Sequence, residues 1–226
     1  MFGIDLSAAS GLMMLAATVV QPNPCKVPKP PQISITPITK EIQYDFNVSN
    51  RDLTKVKTDT VNPYGANVDT VTNGLRHDRP ELEIEASLGH MVIGGRIACS
   101  WYDTVKVTIT LQPKIYIARE IPPGVCRNEI LAHELRHVKV DREVVNRYSQ
   151  QIGTVIRAVV NKTQARGPFP VEELPKHQEV LMRQLSNAIK AYQPLMSADM
   201  KKHQGQVDSL QEYERVGEIC RKAEGR

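Results

Sequence analysis

The chain has 226 residues, of which 41% are apolar and 24% charged, with a formal net charge of +4. That length fits one soluble domain with a short appendage, enough to bury a real core. The charge is mild and Lys and Arg are spread along the sequence, which excludes the clustered basic footprint of a nucleic-acid-binding protein.

Residues 6–20 are apolar or small, among them Leu6, Leu12, Leu15, Val19 and Val20, and are followed by Gln-Pro-Asn-Pro-Cys and a Pro-rich run to Pro31. An apolar run, then small residues, then a polar tether is the order of a secretion signal, so 1–31 is read as export signal and tether and 32–226 as the main domain. The pattern departs from that order at its start, which carries Asp5 and no Lys or Arg. Ser7, Ser10 and Gly11 interrupt the run, so no stable membrane span is expected. The expected location is exported, periplasmic or secreted.

The four cysteines, Cys25, Cys99, Cys126 and Cys220, have no CxxC spacing, which leaves a zinc ribbon or thioredoxin motif without support. In an exported protein they make two disulfides, with three possible connectivities. Cys99 stands before a strand-like run and Cys126 at the start of a helical one, so Cys99 with Cys126 and Cys25 with Cys220 is the expected pairing.

Residues 33–61 alternate loosely (Ile33, Ile35; Ile42, Tyr44, Phe46) and suggest short strands, and the Asn-Pro, Tyr-Gly and Asn-Gly pairs of 62–80 mark turns. Leu82, Ile84 and Ala86 alternate, as do Val105, Val107, Ile109 and Leu111; after Pro113, Ile115 and Ile117 resume. These predict an antiparallel sheet with one face on a core, where Trp101 and Tyr102 also pack. Pro122-Pro123-Gly124 closes the sheet. From Val125 to about Lys162 the pattern is helical, Gly167-Pro168-Phe169-Pro170 reads as a loop, and 171–224 is helical with breaks near Pro194 and Gly205. Strands first and helices after is an α+β plan.

Inside the long helix lies His133-Glu134-Leu135-Arg136-His137, an HExxH motif. Residues four apart share a helix face, so two imidazoles can address one ion, with Glu134 beside it as the base for a metal-activated water. The bland alternative is a solvated polar face. Ile130, Leu131, Val138, Val144 and Val145 flank the motif and argue that this helix is buried. A catalytic zinc site needs a third protein ligand. Asp141 is near, but eight helical residues rise about 12 Å, too far for one metal to reach both His133 and Asp141. Asp141 is better placed to orient His137 from behind.

The order of strand, HExxH helix and later helices resembles the zincin metallopeptidases over about residues 82–220. No Gly follows His137 to give the metzincin pattern. The resemblance is therefore to the gluzincin kind, which takes its third ligand, a carboxylate, from a later helix; the candidates are Glu172, Glu173, Glu179, Asp208, Glu212, Glu214 and Glu218. His133-Glu-Leu-Arg-His with Ser209-Leu-Gln-Glu-Tyr-Glu also resembles the CAAX prenyl protease and HtpX-type proteases, which carry a later Glu-x-Glu segment whose first Glu binds zinc. That comparison implies Glu212. Val216 stands where those proteins have Asp. Predicted secreted bacterial zinc-dependent proteases are similar in kind.

What the resemblance implies is a Zn²⁺ peptidase acting on a peptide or protein substrate, with His133, His137 and Glu212 as metal ligands and Glu134 as general base. In zincins a sheet edge also holds extended substrate, a role open to 104–111 or 114–118. Tyr148, Tyr192 and Tyr213 are candidate donors to the oxyanion, and His177 and His203 are spare helical imidazoles. The alternative is a catalytically silent, zinc-binding exported scaffold with a helical hairpin for a partner protein.

Overall fold

A computed structural model describes residues 24–56, 62–65 and 68–225. The apolar run at 6–20 lies outside the described residues. Strands β1 (Gln32–Thr39), β4 (Glu81–Ile93) and β5 (Ile97–Leu111) form one sheet in the order β1-β5-β4, and β7 (Ala165–Pro170) pairs with the first residues of β5. β4 and β5 are a hairpin that turns through Gly94 and Gly95, at φ +57° and +73°, the backbone a tight type I′ turn demands. The register Leu82↔Ile109, Ile84↔Val107 and Ala86↔Val105 puts the alternating apolar residues on one face, and parallel pairing adds Ile33 and Ile35 beside Val105 and Val107. A bulge at Ser87/Leu88 shifts the alternation. Tyr102 therefore joins this core face, while Trp101 packs with the Cys25 and Cys99 sulfurs in a separate cluster.

A second sheet, β2-β6-β3, is made by β2 (Gln43–Asp45), β6 (Lys114–Ile117) and β3 (Gly74–His77). Three expectations change. The sheets are mixed rather than antiparallel, because β1 runs parallel to β5 and β2 parallel to β6; the long connections after β1 and β2 allow the crossovers that parallel pairs need. Part of the stretch read as strands is a short helix α1 (Asn50–Thr54), capped by the Ser49 hydroxyl, which accepts the Asp52 N–H at 3.2 Å. The Gly167–Pro170 loop is the strand β7, whose prolines are tolerated at a sheet margin.

Helix α2 (Val125–Thr163) is 39 residues, about 58 Å, long. Its buried positions recur every three to four residues: Ile130, Glu134, His137, Asp141, Val144 and Val145, Tyr148, Ile152, Ile156, Val160. The C-terminal half of this stripe packs on the first sheet with Leu181, Leu185 and Ile189 of α3 (Leu174–Lys190) and Met196 and Met200 of α4 (Tyr192–Val207). The N-terminal half packs on the second sheet through Leu75, Ile115 and Ile117. Between the two apolar stretches, the middle of the stripe is polar. That is costly unless every group there is partnered.

Helix α5 (Leu210–Ala223) follows a break at Asp208 and Ser209, not at Gly205. The disulfides are Cys25–Cys99 and Cys126–Cys220, which overturns the expected pairing. β5 explains the error: the 12 residues that follow Cys99 in this strand carry the chain about 40 Å away from it before α2 begins at Val125. Cys126 instead meets the last turns of α5. Among the described residues no helix is long and apolar enough to cross a membrane.

Candidate metal centre

The polar middle of α2 faces a second ladder of polar residues at the α4–α5 junction. His133, His137 and Asp141 follow one another at four-residue steps, and so do Gln204, Asp208 and Glu212 on the opposing, oppositely directed segment. Asp208 ends α4 at φ −82°, ψ 39°, and Ser209 caps α5 by accepting the Glu212 N–H. The break in the helix thus turns the Asp208 carboxylate into the α2 face. Its Oδ1 lies 3.2 Å from His133 Nε2 and 3.0 Å from His137 Nε2, and the two Nε2 atoms are 3.1 Å apart.

These three groups are buried and together could hold a metal ion. Two imidazole nitrogens and one carboxylate oxygen are a donor set suited to zinc and other first-row divalent ions. Donor atoms about 2.0–2.2 Å from a common tetrahedral ion lie about 3.3–3.6 Å from each other, a few tenths of an ångström wider than the 3.0–3.2 Å of these three. The residues therefore fit a metal.

Around this triangle each imidazole has its other nitrogen against a side-chain oxygen. His137 Nδ1 meets Gln204 Oε1; the Gln204 amide donates to Asp141 Oδ1 at 2.6 Å and to the His137 carbonyl at 3.1 Å. Asp141 Oδ2 lies 3.3 Å from Arg76 Nε of β3. Behind His133, Glu212 Oε1 is 3.5 Å from Nδ1, and Glu212 is gripped by the Arg136 and Arg215 guanidiniums. Glu134, 4% exposed, lies against β3 at Gly74, where a built Cβ would stand 2.5 Å from its Oε1; its carboxylate accepts the Arg76 backbone N–H. Tyr213 stands edge-on to His133 at 5.9 Å between centroids, with its hydroxyl on Asp208, and Tyr64 stands edge-on to Tyr213. A cleft of about 210 Å³ opens beside His133 and Glu134, lined by 70–74 on one side and by Tyr213, Val216, Gly217 and Cys220 on the other.

The charges are strongly coupled. Burial raises Asp208, but hydrogen bonds from both imidazoles outweigh it and hold the carboxyl at about 2. Burial lowers the His137 imidazolium, yet the hydrogen bond to Asp208 and the nearby Glu134 charge prevail and raise it. Glu134 is raised by burial, against the pull of both histidines. Tyr213 is raised by burial and by the Asp208 and Glu134 charges.

Asp141, 1% exposed, is pushed by burial from 3.8 to about 6 despite Arg76 and Gln204. An acid whose folded pKa is raised stabilises the fold below its unfolded pKa, and that contribution is lost as pH rises through the folded value. The shift is equivalent to about 3 kcal/mol. The metal-free Asp141→Asn variant is therefore expected to gain several degrees in Tm relative to wild type between pH 4 and pH 7.5; an unchanged gap in paired melting curves would contradict it.

Several expected site residues lie elsewhere. Glu212 does not face the two Nε2 atoms; Asp208, one helical turn earlier, does. Glu173 pairs with His177, which stacks on Phe169, and Glu179 pairs with Arg183. His203 lies beside Asp199, and Tyr148 and Tyr192 pack on each other in the large core. The stretches 104–111 and 114–118 belong to β5 and β6, both flanked by strands on each side; the sheet edge beside the cleft is β3. Gln204, Arg76 and Gly74 were not anticipated, although the four-residue ladder ending at Glu212 was there to be read. Searches of family models, curated proteins and solved structures found no match to this chain.

Proposed function

We propose that the chain is a zinc-dependent peptidase, a hydrolase of zincin-like plan, acting in an oxidising compartment outside the cytoplasm. The observation that carries the reading is the meeting of His133 Nε2, His137 Nε2 and Asp208 Oδ1 beside a buried Glu134 at the edge of an open cleft. His133, His137 and Asp208 would hold the ion. Zinc bound there would supply a water of lowered pKa and an electrophile for the scissile carbonyl.

Glu134 takes the proton of the attacking water on its carboxylate and passes it to the leaving amine. A buried carboxyl with a raised pKa both accepts that proton and holds it for transfer. Tyr213, its hydroxyl kept protonated by burial and by two carboxylates, turns its single O–H from Asp208 to the carbonyl oxygen as charge develops there. Ile130, Val216 and Cys220, the last tied by its disulfide to the first turn of α2, give the cleft apolar lining. Two disulfides are compatible with export, as is the absence of a membrane-crossing helix among the described residues.

The silent-scaffold alternative asks for exposed apolar stripes on α2 and α3. The large exposed apolar residues of α2, Val125 and Leu135, stand apart, and α3 has none among the described residues. The deciding experiment is elemental analysis of wild type beside His137→Ala, followed by a peptide-library digest. About one zinc per chain in wild type, lost in the variant, with cleavage by the zinc-loaded protein, supports the reading; no zinc after reconstitution overturns it. Gly74→Ala adds a finer check, since the new Cβ would stand 2.5 Å from both Glu134 Oε1 and Ile130 Cγ2, so that both side chains must shift. A displacement near 1 Å costs on the order of 10²-fold in rate. Zinc content is expected to stay at the wild-type level, and full activity in a hydrolysis assay would contradict Glu134's assignment.

A further inference from the structure

We propose that Gly217 sets the size of a side-chain pocket in the cleft, and that this pocket takes an uncharged, branched aliphatic side chain next to the scissile bond of a peptide. The inference rests on the peptidase reading above and deepens it by naming the substrate class. Helices α2 and α5 run antiparallel along the cleft, Tyr213 meeting His133 at one end and Cys220 bonded to Cys126 at the other. Ile130, Val216 and Gly217 line the stretch between these two anchors. Ile130 stands one helical turn, about 5.4 Å, from His133 and Glu134, within reach of one side chain from the reacting centre.

Among the described residues no Lys, Arg or Asp lines the cleft, and Glu134, its one carboxylate, is engaged by the Arg76 N–H. A charged substrate side chain would therefore be desolvated there without a partner. Val71 lines the wall opposite α5 although it is 63% exposed, an apolar surface without protein cover. The room is limited: about 210 Å³ is below the roughly 300–1,000 Å³ of sites for drug-sized ligands, so it suits one side chain. Gly217 lies in the interior of α5, where glycine weakens a helix relative to alanine. Packing does not require it, since a Cβ built there meets only the Arg221 guanidinium, at 3.4 Å. Tyr213, Val216, Gly217 and Cys220 share one helix face, so a side chain at 217 takes up room in the cleft.

The test uses the full zinc-loaded chain, wild type beside Gly217→Ala and Gly217→Leu. Peptides identical except for Leu, Ala, Asp or Lys next to the scissile bond are compared by kcat/KM. Wild type is expected to favour Leu over Ala by about tenfold or more, and over Asp and Lys by a wider margin, since one methylene in an apolar pocket is worth about 10–200-fold. In Gly217→Leu the Leu-to-Ala ratio is expected to fall by about tenfold, with Gly217→Ala between. Binding is read separately in the metal-free protein, from the methyl signals of Val71, Ile130 and Val216 as capped peptides centred on Leu, Asp or Lys are added. Only the Leu peptide is expected to shift all three, and to do so more weakly in Gly217→Leu.

A wild type that prefers Asp or Lys, or a Leu-to-Ala ratio that Gly217→Leu leaves unmoved, would overturn the pocket and leave the peptidase reading standing. A merely structural role for Gly217 would slow all peptides alike and leave that ratio where it was. A zinc-loaded wild type that cleaves nothing, while the Leu peptide alone still shifts the three methyls, would sink the peptidase reading and uphold the pocket. No shift with any peptide would overturn the pocket outright. Gly217→Ala is expected to melt no lower than wild type. If Gly217→Leu melts far below it, the Ala variant decides by whether its Leu-to-Ala ratio falls.

Discussion

Glu134→Gln is expected to leave about one zinc per chain and to lower kcat for peptide hydrolysis about 10³-fold, within the range of 10²–10⁴ for loss of a general base. The substitution is close to isosteric, and its carbonyl oxygen can still accept the Arg76 backbone N–H, so the site keeps its shape. What it loses is the capacity to take a proton. Stability is expected to move the other way: Glu134 is 4% exposed and its charged form is disfavoured by burial, so a neutral amide relieves desolvation in the metal-free protein. A variant that is inactive, metal-loaded and no less heat-stable is inactive for a chemical reason. Hydrolysis at more than a tenth of the wild-type rate, measured on the same peptide, would remove Glu134 from the mechanism.

The parts legible in the sequence are those where one periodicity dominates. Val105, Val107, Ile109 and Leu111 alternate strictly and occupy one core face, and α2 runs from 125 to 163, close to the span its pattern predicts. The motif was legible too, because HExxH depends only on helical spacing. Strand direction was not: β1 pairs parallel with β5, and nothing within the eight residues of β1 encodes the direction of its partner. The cysteine pairing failed for the same reason, since it depends on where α2 returns in space rather than on local pattern. In the site, Gly74 and Arg76 come from a strand about sixty residues before the motif and meet it only through tertiary contacts. Asp208 was one of seven candidate carboxylates; what singles it out is the break between α4 and α5, which the sequence reading placed at Gly205.

The difference of one turn between Asp208 and Glu212 can be decided by experiment. Asp208→Asn is expected to weaken zinc binding by more than the 10–100-fold typical of an outer partner, because it removes a ligand. Glu212→Gln is expected to weaken it by no more than about tenfold, since an amide oxygen can still accept from His133 Nδ1. The surroundings of the two carboxylates argue for this order. Asp208, 5% exposed, has both Nε2 atoms within 3.2 Å and a pKa of about 2 that follows from those two hydrogen bonds. Glu212 is also held at about 2, but chiefly by Arg215, and with Arg136 that cationic grip ties α5 to α2 and leaves the carboxylate little reason to turn inward. For Glu212 to ligate, it would have to abandon two guanidiniums and displace a carboxylate already seated between the imidazoles. If competition titrations show the reverse ranking, the ladder of Gln204, Asp208 and Glu212 is shifted by one rung when metal is present, and the helix break at Asp208 is where that shift must occur.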